Sequence, residues 1–187
     1  HSLPVPATVR RVLMESVFDC IVNRRSVRSY TSQPVNKATI EKLLTAASYA
    51  PSAANMQPWR FVVIQDDKEL KDKVASLSVY AQWLKTAPCL IFVYLDKNTL
   101  SDRVFNCELK HKQVIGSAIQ NILLAARELQ LGTCWIGEIL KHEKEVNALL
   151  ELPDNLELMA MLTVGYTQNL GGAGKREPLD KLVAKWL

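Results

Sequence analysis

Apolar positions along the chain fall into blocks of two periods, separated by proline, glycine and polar clusters. Positions 14–23 predict a short helix that runs into Arg24-Arg25-Ser26-Val27-Arg28. Residues 33–35 should be extended, because the residue before Pro34 avoids the α region. Asn36 is then the predicted N-cap of a helix reaching about Tyr49. Ile40, Leu43, Leu44 and Ala47 share one face of it at helical spacing, and Pro51 stops it. A polar loop over 51–59 leads into a strand over 61–64, followed by a helical pattern over 68–84 with a break near 76–78. Cys89 to Leu95 is an unbroken apolar run of strand length, so it should be buried on both faces. The stretch 96–108 is polar and reads as a loop, with 96–109 as partial cover for a site. A strand over 133–137, a charged helix over 141–150 and a last buried strand over 158–166 complete the pattern.

The longest predicted helix, about 110–130, has an apolar arc wider than one stripe. Val114, Ala118, Ile122, Ala125 and Leu129 form one line, and Ile115, Ile119 and Ala126 form a second beside it. A surface helix shows a single stripe of about 100° or a little more. Such a helix is either central to its own chain or shared with a second copy, and its small residues Gly116, Ser117, Ala118, Ala125 and Ala126 permit close approach. The tail is glycine-rich, then basic, and ends in Leu182, Val183, Trp186 and Leu187, an apolar terminus that should pack on something.

Composition narrows the function classes. The 187 residues suit one domain, 1–187, with 1–10 expected to be flexible or a tag remnant and 166–187 a C-terminal arm. Hydrophobic residues make up 48% and charged residues 22%, and the net charge is +4, spread along the chain. That balance admits an anionic ligand but argues against a nucleic-acid module, and no apolar run reaches 18 residues, so no membrane partner is expected. The four cysteines are far apart without a CxxC, and there are only three histidines, so neither a metal site nor a disulfide framework is expected. Cys89 and Cys134, in apolar runs, read as buried free thiols. Together with the lack of a basic-then-apolar leader at the start, this leads us to expect a cytoplasmic setting.

Most chemical motifs fail on inspection. Gly171-Gly172-Ala173-Gly174-Lys175 lacks Walker spacing, since Asn169 stands where glycine is needed and Arg176 where Ser/Thr is needed. No glycine fingerprint marks a dinucleotide βαβ unit. His111 and His142 lie among charged residues, where solvent exposure is expected, and no catalytic side chain is assigned. A bound cofactor should therefore carry any chemistry. Two stretches stand apart. In 24–29, three guanidinium groups and two hydroxyls lie within six residues. This is either a solvated basic patch or a charge-assisted phosphate clamp, and Arg24, Ser26 and Arg28 would share one side of an extended segment. In 51–59, Ser52, Asn55 and Gln57 lie between two prolines. That loop is either a tight connection or a stiff cradle for a planar polar ring.

At these stretches the chain resembles the FMN-dependent nitroreductase family. The likeness rests on RRSVRSY (24–30), APSAANMQPWRFVVI (50–64), the long helix, LGTCWIGEI (131–139), LTVGY (162–166) and KREPLDKLV (175–183), in the family's order. It implies an α+β sandwich, with a mainly antiparallel central sheet flanked by helices, in an intertwined homodimer with C-terminal arm exchange and FMN at the seam. Arg24 and Ser26 match positions that hold the phosphate and ribityl chain, and Arg25 one that contributes mostly through its backbone. Arg28 matches a basic residue near the flavin pyrimidine. Pro51, Ser52, Ala53 and Asn55 match the loop that lines the ring from the neighbouring subunit, with Gln57 a further contact. Ile136, Gly137 and Glu138 match the stretch whose backbone approaches the flavin edge, and Arg176 a phosphate contact of the tail.

There are departures. Gly174 stands where relatives often carry a basic residue, with Lys175 as a substitute, and Glu138 stands where many carry glycine. The implied activity is ping-pong hydride transfer from NADH or NADPH to a nitroaromatic, quinone or enone. Alternatives on the same fold are reductive dehalogenation, flavin fragmentation, or a non-catalytic flavin-binding redox sensor.

Overall fold

The computed structural model describes residues 15–172 and 174–187; the expectation for 1–10 and the start of the first helix lie outside them. Among the described residues, seven helices and four strands follow in chain order: α1 Val17–Asn23, α2 Lys37–Ser48, β1 Trp59–Ile64, α3 Lys68–Ser76, α4 Ala81–Leu84, β2 Cys89–Asp96, α5 Cys107–Glu128, β3 Gly132–Ile136, α6 Glu143–Leu149, β4 Leu156–Gly165 and α7 Leu179–Leu182. Short 3₁₀ turns sit at Ala53–Asn55, Lys97–Thr99 and Glu138–His142.

The sheet has order β1-β2-β4-β3, and every neighbouring pair is antiparallel. Strand β2 is central and buried along its whole length, as its apolar run predicts. Its side chains alternate between two cores. Cys89, Ile91, Val93 and Leu95 face α2 and α5. Leu90, Phe92 and Tyr94 face the layer of α3, α4 and α6. The result is an α+β sandwich with helices on both faces.

Helix α2 begins where predicted, with the Asn36 side chain accepting the Thr39 N–H at 2.7 Å, and buries Ile40, Leu43 and Ala47. The break in the 68–84 pattern falls between α3 and α4. Strand β1 starts two residues earlier than the apolar pattern suggests, because Trp59 is already paired opposite Leu95. Helix α5 starts three residues early, at Cys107, which shortens the predicted 96–108 loop. The expectation that His111 is solvent-exposed is corrected: it is fully buried. The lysines on either side of it suggest exposure, but the buried row Cys107, His111, Ile115, Ala118, Ile122 shows that helical phase decides.

Helix α5 is central to its own chain, packed on α2, β2 and β3. Apolar surface nonetheless remains uncovered at Val17, Phe18, Ile21 and Val22 of α1, and at Leu179, Leu182, Trp186 and Leu187 of the tail. Among the described residues, no helix is long and apolar enough to cross a membrane, and no cluster of ligating side chains could hold a metal. All four cysteines are free and buried.

Candidate functional site

The arginine stretch is held to the sheet by its backbone. Ser26 forms a parallel bridge with Thr133 of β3, and the Val27 N–H donates to the Thr133 carbonyl at 2.8 Å. Val27 points inward and is buried, which turns Ser26 and Arg28 outward, as alternation requires. Gly132 makes this approach possible, since a Cβ there would lie 2.8 Å from the Val27 side chain. Downstream, the Tyr30 hydroxyl donates to the Val27 carbonyl at 2.7 Å and meets Thr163 Oγ1 at 2.5 Å. Burial pushes the Tyr30 phenol well up, so it stays a neutral donor. The Thr31 N–H closes the anchor on the Tyr166 carbonyl at 2.8 Å.

Beside this anchored segment lies a cleft of about 870 Å³, lined by residues 25–32, Thr167, Gln168, Asn169 and Gly171. The tail crosses it. Gly171 takes a left-handed conformation, φ +73°, and an added Cβ would lie 2.5 Å from Arg25 Cγ. At Gly174 an added Cβ would fall 1.5 Å from Arg25 Nη1, and Arg176 Nη1 would be 3.0 Å away. A larger residue at 174 would displace Arg25, so Gly174 gives the Arg25 guanidinium its place. The Arg25 side chain thus forms part of the cleft wall.

Arg24, Arg25 and Arg176 converge, whereas Lys175 is exposed. Arg24 is half-buried, and its proton is held less tightly than usual, first through burial and then through repulsion from Arg176 and Arg25. Among the described residues none of Arg24, Arg25, Arg28, Lys175 or Arg176 has a carboxylate partner. Three guanidinium groups without such a partner, Arg25 in the cleft wall and Arg24 and Arg176 beside it, form a donor set suited to a phosphate-bearing ligand. Arg28 is exposed, with Nη1 3.5 Å from the Ser26 carbonyl.

The 51–57 loop is stiff for a reason beyond its prolines. Ala54, Asn55 and Gln57 all have positive φ, at 50°, 54° and 49°. Such strain in residues other than glycine persists only where surrounding contacts impose it, and it concentrates at ligand sites. Here the Gln57 N–H donates to Ser52 Oγ at 3.1 Å, and Gln57 Nε2 donates to the Asn55 carbonyl at 3.2 Å. Pro51, Ala54, Asn55 and Gln57 are exposed, with Ser52 and Ala53 half-buried.

Within one chain this loop does not meet the arginines. Ser26 lies beside Thr133, which pairs with Val164, which pairs with Cys89 at the start of β2. The Pro58 carbonyl instead accepts the N–H of Asp96, at the end of β2. The two motifs are thus separated by the length of β2, roughly 23 Å at about 3.3 Å per residue.

Ile136 is buried at the end of β3, Gly137 is exposed, and the Glu138 carboxylate turns onto its own chain. Ser78 Oγ donates to Glu138 Oε2 at 2.6 Å, and Lys141 Nζ stands 2.5 Å from Oε1. These hydrogen bonds, Lys141's first and Ser78's second, hold the carboxyl below its ordinary range. The sequence assigns no site role to Tyr30, Thr163, Thr167 or Asn169. Their signal is weak there, because each acts through a contact distant along the chain or through a backbone turn.

Comparison with known proteins supplies the rest. The nitroreductase family model matches residues 21–79 and 75–166. A protein of Archaeoglobus fulgidus assigned as an NADH dehydrogenase/NAD(P)H nitroreductase is 36% identical over 158 residues, covering 83% of this chain and 88% of its own. An FMN reductase [NAD(P)H] of Bacillus subtilis is 30% identical, covering 89% of this chain and 72% of its own. A crystal structure from Desulfovibrio desulfuricans, of a protein assigned to the nitroreductases and in complex with FMN, superposes with a TM-score of 0.84 at 34% identity, covering 92% of this chain and 98% of that one. With the fold, the arginine cleft and these matches together, the chain belongs to the nitroreductase family.

Proposed function

We propose that this protein is an FMN-dependent NAD(P)H oxidoreductase. The observation that carries this reading is the group of Arg24, Arg25 and Arg176, of which Arg25 lines the cleft, without carboxylate partners among the described residues. These guanidinium groups bind the FMN phosphate, with Ser26 beside them for the ribityl hydroxyls and Lys175 adding positive field. Arg28 places a cation toward the pyrimidine end of the ring, where it stabilises negative charge on the reduced form. Ile136 and Gly137 bring backbone to the ring edge, and Glu138 fixes that backbone rather than reaching the ring itself.

The chemistry supplied by bound FMN is hydride transfer from NADH or NADPH to an electron-poor acceptor, a nitroaromatic, quinone or enone, in a ping-pong cycle. No side chain serves as nucleophile; the protein binds, orients and supplies the positive field.

Residues 1–187 act as one domain in an intertwined homodimer, with 166–187 as an exchanged arm. The separation of the 51–57 loop from the arginines along β2 supports this, since a second copy can bring Pro51, Ser52, Ala53, Asn55 and Gln57 to the opposite cleft. The exposed apolar surface of α1 and the tail supports it too.

The deciding experiment is the visible spectrum of the purified, FMN-loaded protein under anaerobic titration with NADH and with NADPH. Bleaching of the flavin band by either reagent, and its return on adding a quinone or nitroaromatic, is expected. A protein that cannot be loaded with FMN overturns the reading.

A further inference from the structure

The two hydrogen bonds made by the Val27 backbone orient the residues on either side of it. A trans peptide unit is planar, and its C=O and N–H point in opposite directions. The Val27 N–H donates to the Thr133 carbonyl at 2.8 Å, so the Ser26 carbonyl of that peptide unit faces away from β3. The Val27 carbonyl accepts from the Tyr30 hydroxyl at 2.7 Å, so the Arg28 N–H of the next unit faces away from that hydroxyl. Two consecutive peptide planes are thereby fixed, with a carbonyl from Ser26 and an N–H from Arg28 as their outward groups.

The second plane is held by a relay. Tyr30 has one hydroxyl hydrogen and a carbonyl can only accept, so that hydrogen is committed to Val27. The 2.5 Å contact between Tyr30 Oη and Thr163 Oγ1 is then a bond that Thr163 donates. Thr163 is fully buried in β4, opposite Leu90 of β2 on one side and Cys134 of β3 on the other. The relay is thus rooted in the middle of the sheet, and it gives the Arg28 N–H a fixed direction away from the interior. Among the described residues, no oxygen accepts this N–H, whereas the Ser26 carbonyl has the Arg28 guanidinium 3.5 Å away. Arg28 lines the cleft of about 870 Å³, so a fixed, unpaired donor stands in the lining beside the guanidinium. A donor held in place before a ligand arrives loses little freedom on binding it.

We propose that the Arg28 N–H is a binding donor for an oxygen of the flavin ring or ribityl chain, and that Tyr30 and Thr163 are the positioning residues that aim it. The inference rests on the FMN reading above. The acceptor is placed off the phosphate because Arg24 and Arg25 gather with Arg176 of the tail, while Arg28 lies three residues beyond Arg25. Arg28 then offers the cofactor two unlike donors, a cation on a flexible stem and a neutral amide on a fixed plane.

Amide hydrogen exchange at Arg28, read by NMR on isotope-labelled full-length protein, is the test. The flavin-free protein is compared with the same protein saturated with FMN and with riboflavin, which has no phosphate. Exchange at Arg28 is expected to slow at least about tenfold with either flavin. Bound FMN with unchanged exchange at Arg28 overturns the proposal and leaves the FMN reading standing. Slowing by FMN but not by riboflavin overturns it too, since the acceptor is then the phosphate. Failure to bind FMN removes both readings. These comparisons use the wild-type protein alone.

Two substitutions test the relay. Tyr30→Phe and Thr163→Val should each raise the Kd for FMN about tenfold, the equivalent of one hydrogen bond, and reduce the slowing at Arg28. Thr163→Ser, which keeps the hydroxyl, should behave as wild type. A merely structural role for Tyr30 lowers the melting temperature but leaves the slowing at Arg28 intact. That result in a folded Tyr30→Phe variant takes Tyr30 out of the positioning role.

Discussion

Arg24 is half-buried beside two like charges, an arrangement unfavourable to the flavin-free protein and favourable to the bound one. The two effects predict opposite signs for one substitution. Arg24→Ala should raise the Kd for FMN by about ten- to a hundredfold, the equivalent of one charge-assisted hydrogen bond. The same change should leave the melting temperature of the flavin-free protein equal to wild type or higher. A fluorescence titration and a thermal melt check the pair, and a loss of stability with no loss of affinity contradicts the assignment. Arg28→Ala should weaken FMN binding and slow flavin reduction in stopped flow; normal occupancy with normal reduction removes Arg28 from the site.

Arg127 Nε and Nη2 donate to both oxygens of Glu15 at 2.8 and 2.6 Å, while Nη1 lies 3.5 Å from the Leu170 carbonyl. This pair ties the chain before α1 to the base of the tail. Arg127 holds the Glu15 carboxyl below its ordinary range, chiefly by hydrogen bonding. A carboxyl depressed in the folded state contributes stability above its unfolded pKa, near 4.3, and loses it as pH falls through the folded value. Arg127→Met should therefore cost about 1–3 kcal/mol at pH 7 in urea denaturation. The gap from wild type should narrow below about pH 4. An equal gap at both pH values shows that packing of the arginine stem, not the ion pair, is what was lost. At this scale the sequence shows the arginines, because alternation around Val27 turns Ser26 and Arg28 to one side. It conceals Glu15–Arg127 and Ser78–Glu138, whose partners lie far apart in the chain, so neither pairing leaves a local pattern.

At the scale of elements, the 3₁₀ turn after β3 and the α3–α4 connection behave as one unit. Glu138 accepts from Ser78 Oγ, and from the backbone of Val79 as well. Glu138→Gly should leave FMN stoichiometry unchanged. It should lower stability by about 1–2 kcal/mol through the unpaired Ser78 hydroxyl and the freed backbone. Amide hydrogen exchange at Val79 and Tyr80 should rise, since these amides then depend on α3 and α4 alone. Loss of flavin in this variant places the carboxylate at the cofactor instead. Elements are most legible where periodicity and a cap agree, as at Asn36 for α2, or where an apolar run is unbroken, as along the fully buried β2. The misplaced boundaries have local causes: Trp59 is held in β1 by pairing that no alternation signals, and Cys107 begins α5 without a capping side chain.

For the whole molecule, the decisive feature is that the two motifs that carry the resemblance occupy opposite ends of β2. A site built in one chain and a site built across two make different predictions for mixed dimers. Take one chain bearing Arg24→Ala and Arg28→Ala, and another bearing Asn55→Ala and Gln57→Ala. Each should bind little FMN as a homodimer, since every site in it lacks either its arginines or its loop. In a heterodimer, an exchange architecture joins the intact arginines of the second chain to the intact loop of the first and leaves both defects together in the other site. Affinity-tagged heterodimers should therefore recover about one FMN per dimer, and about half the wild-type NAD(P)H-dependent turnover. If both motifs act within one chain, the heterodimer carries one defect per site and recovers nothing. A heterodimer as empty as its parents thus refutes the shared site, even with FMN binding by the wild-type protein established. Recovery would tie the uncovered apolar surface of α1 and of Leu179, Leu182 and Trp186 to the same assembly, because the copy that covers those residues would also complete the flavin site.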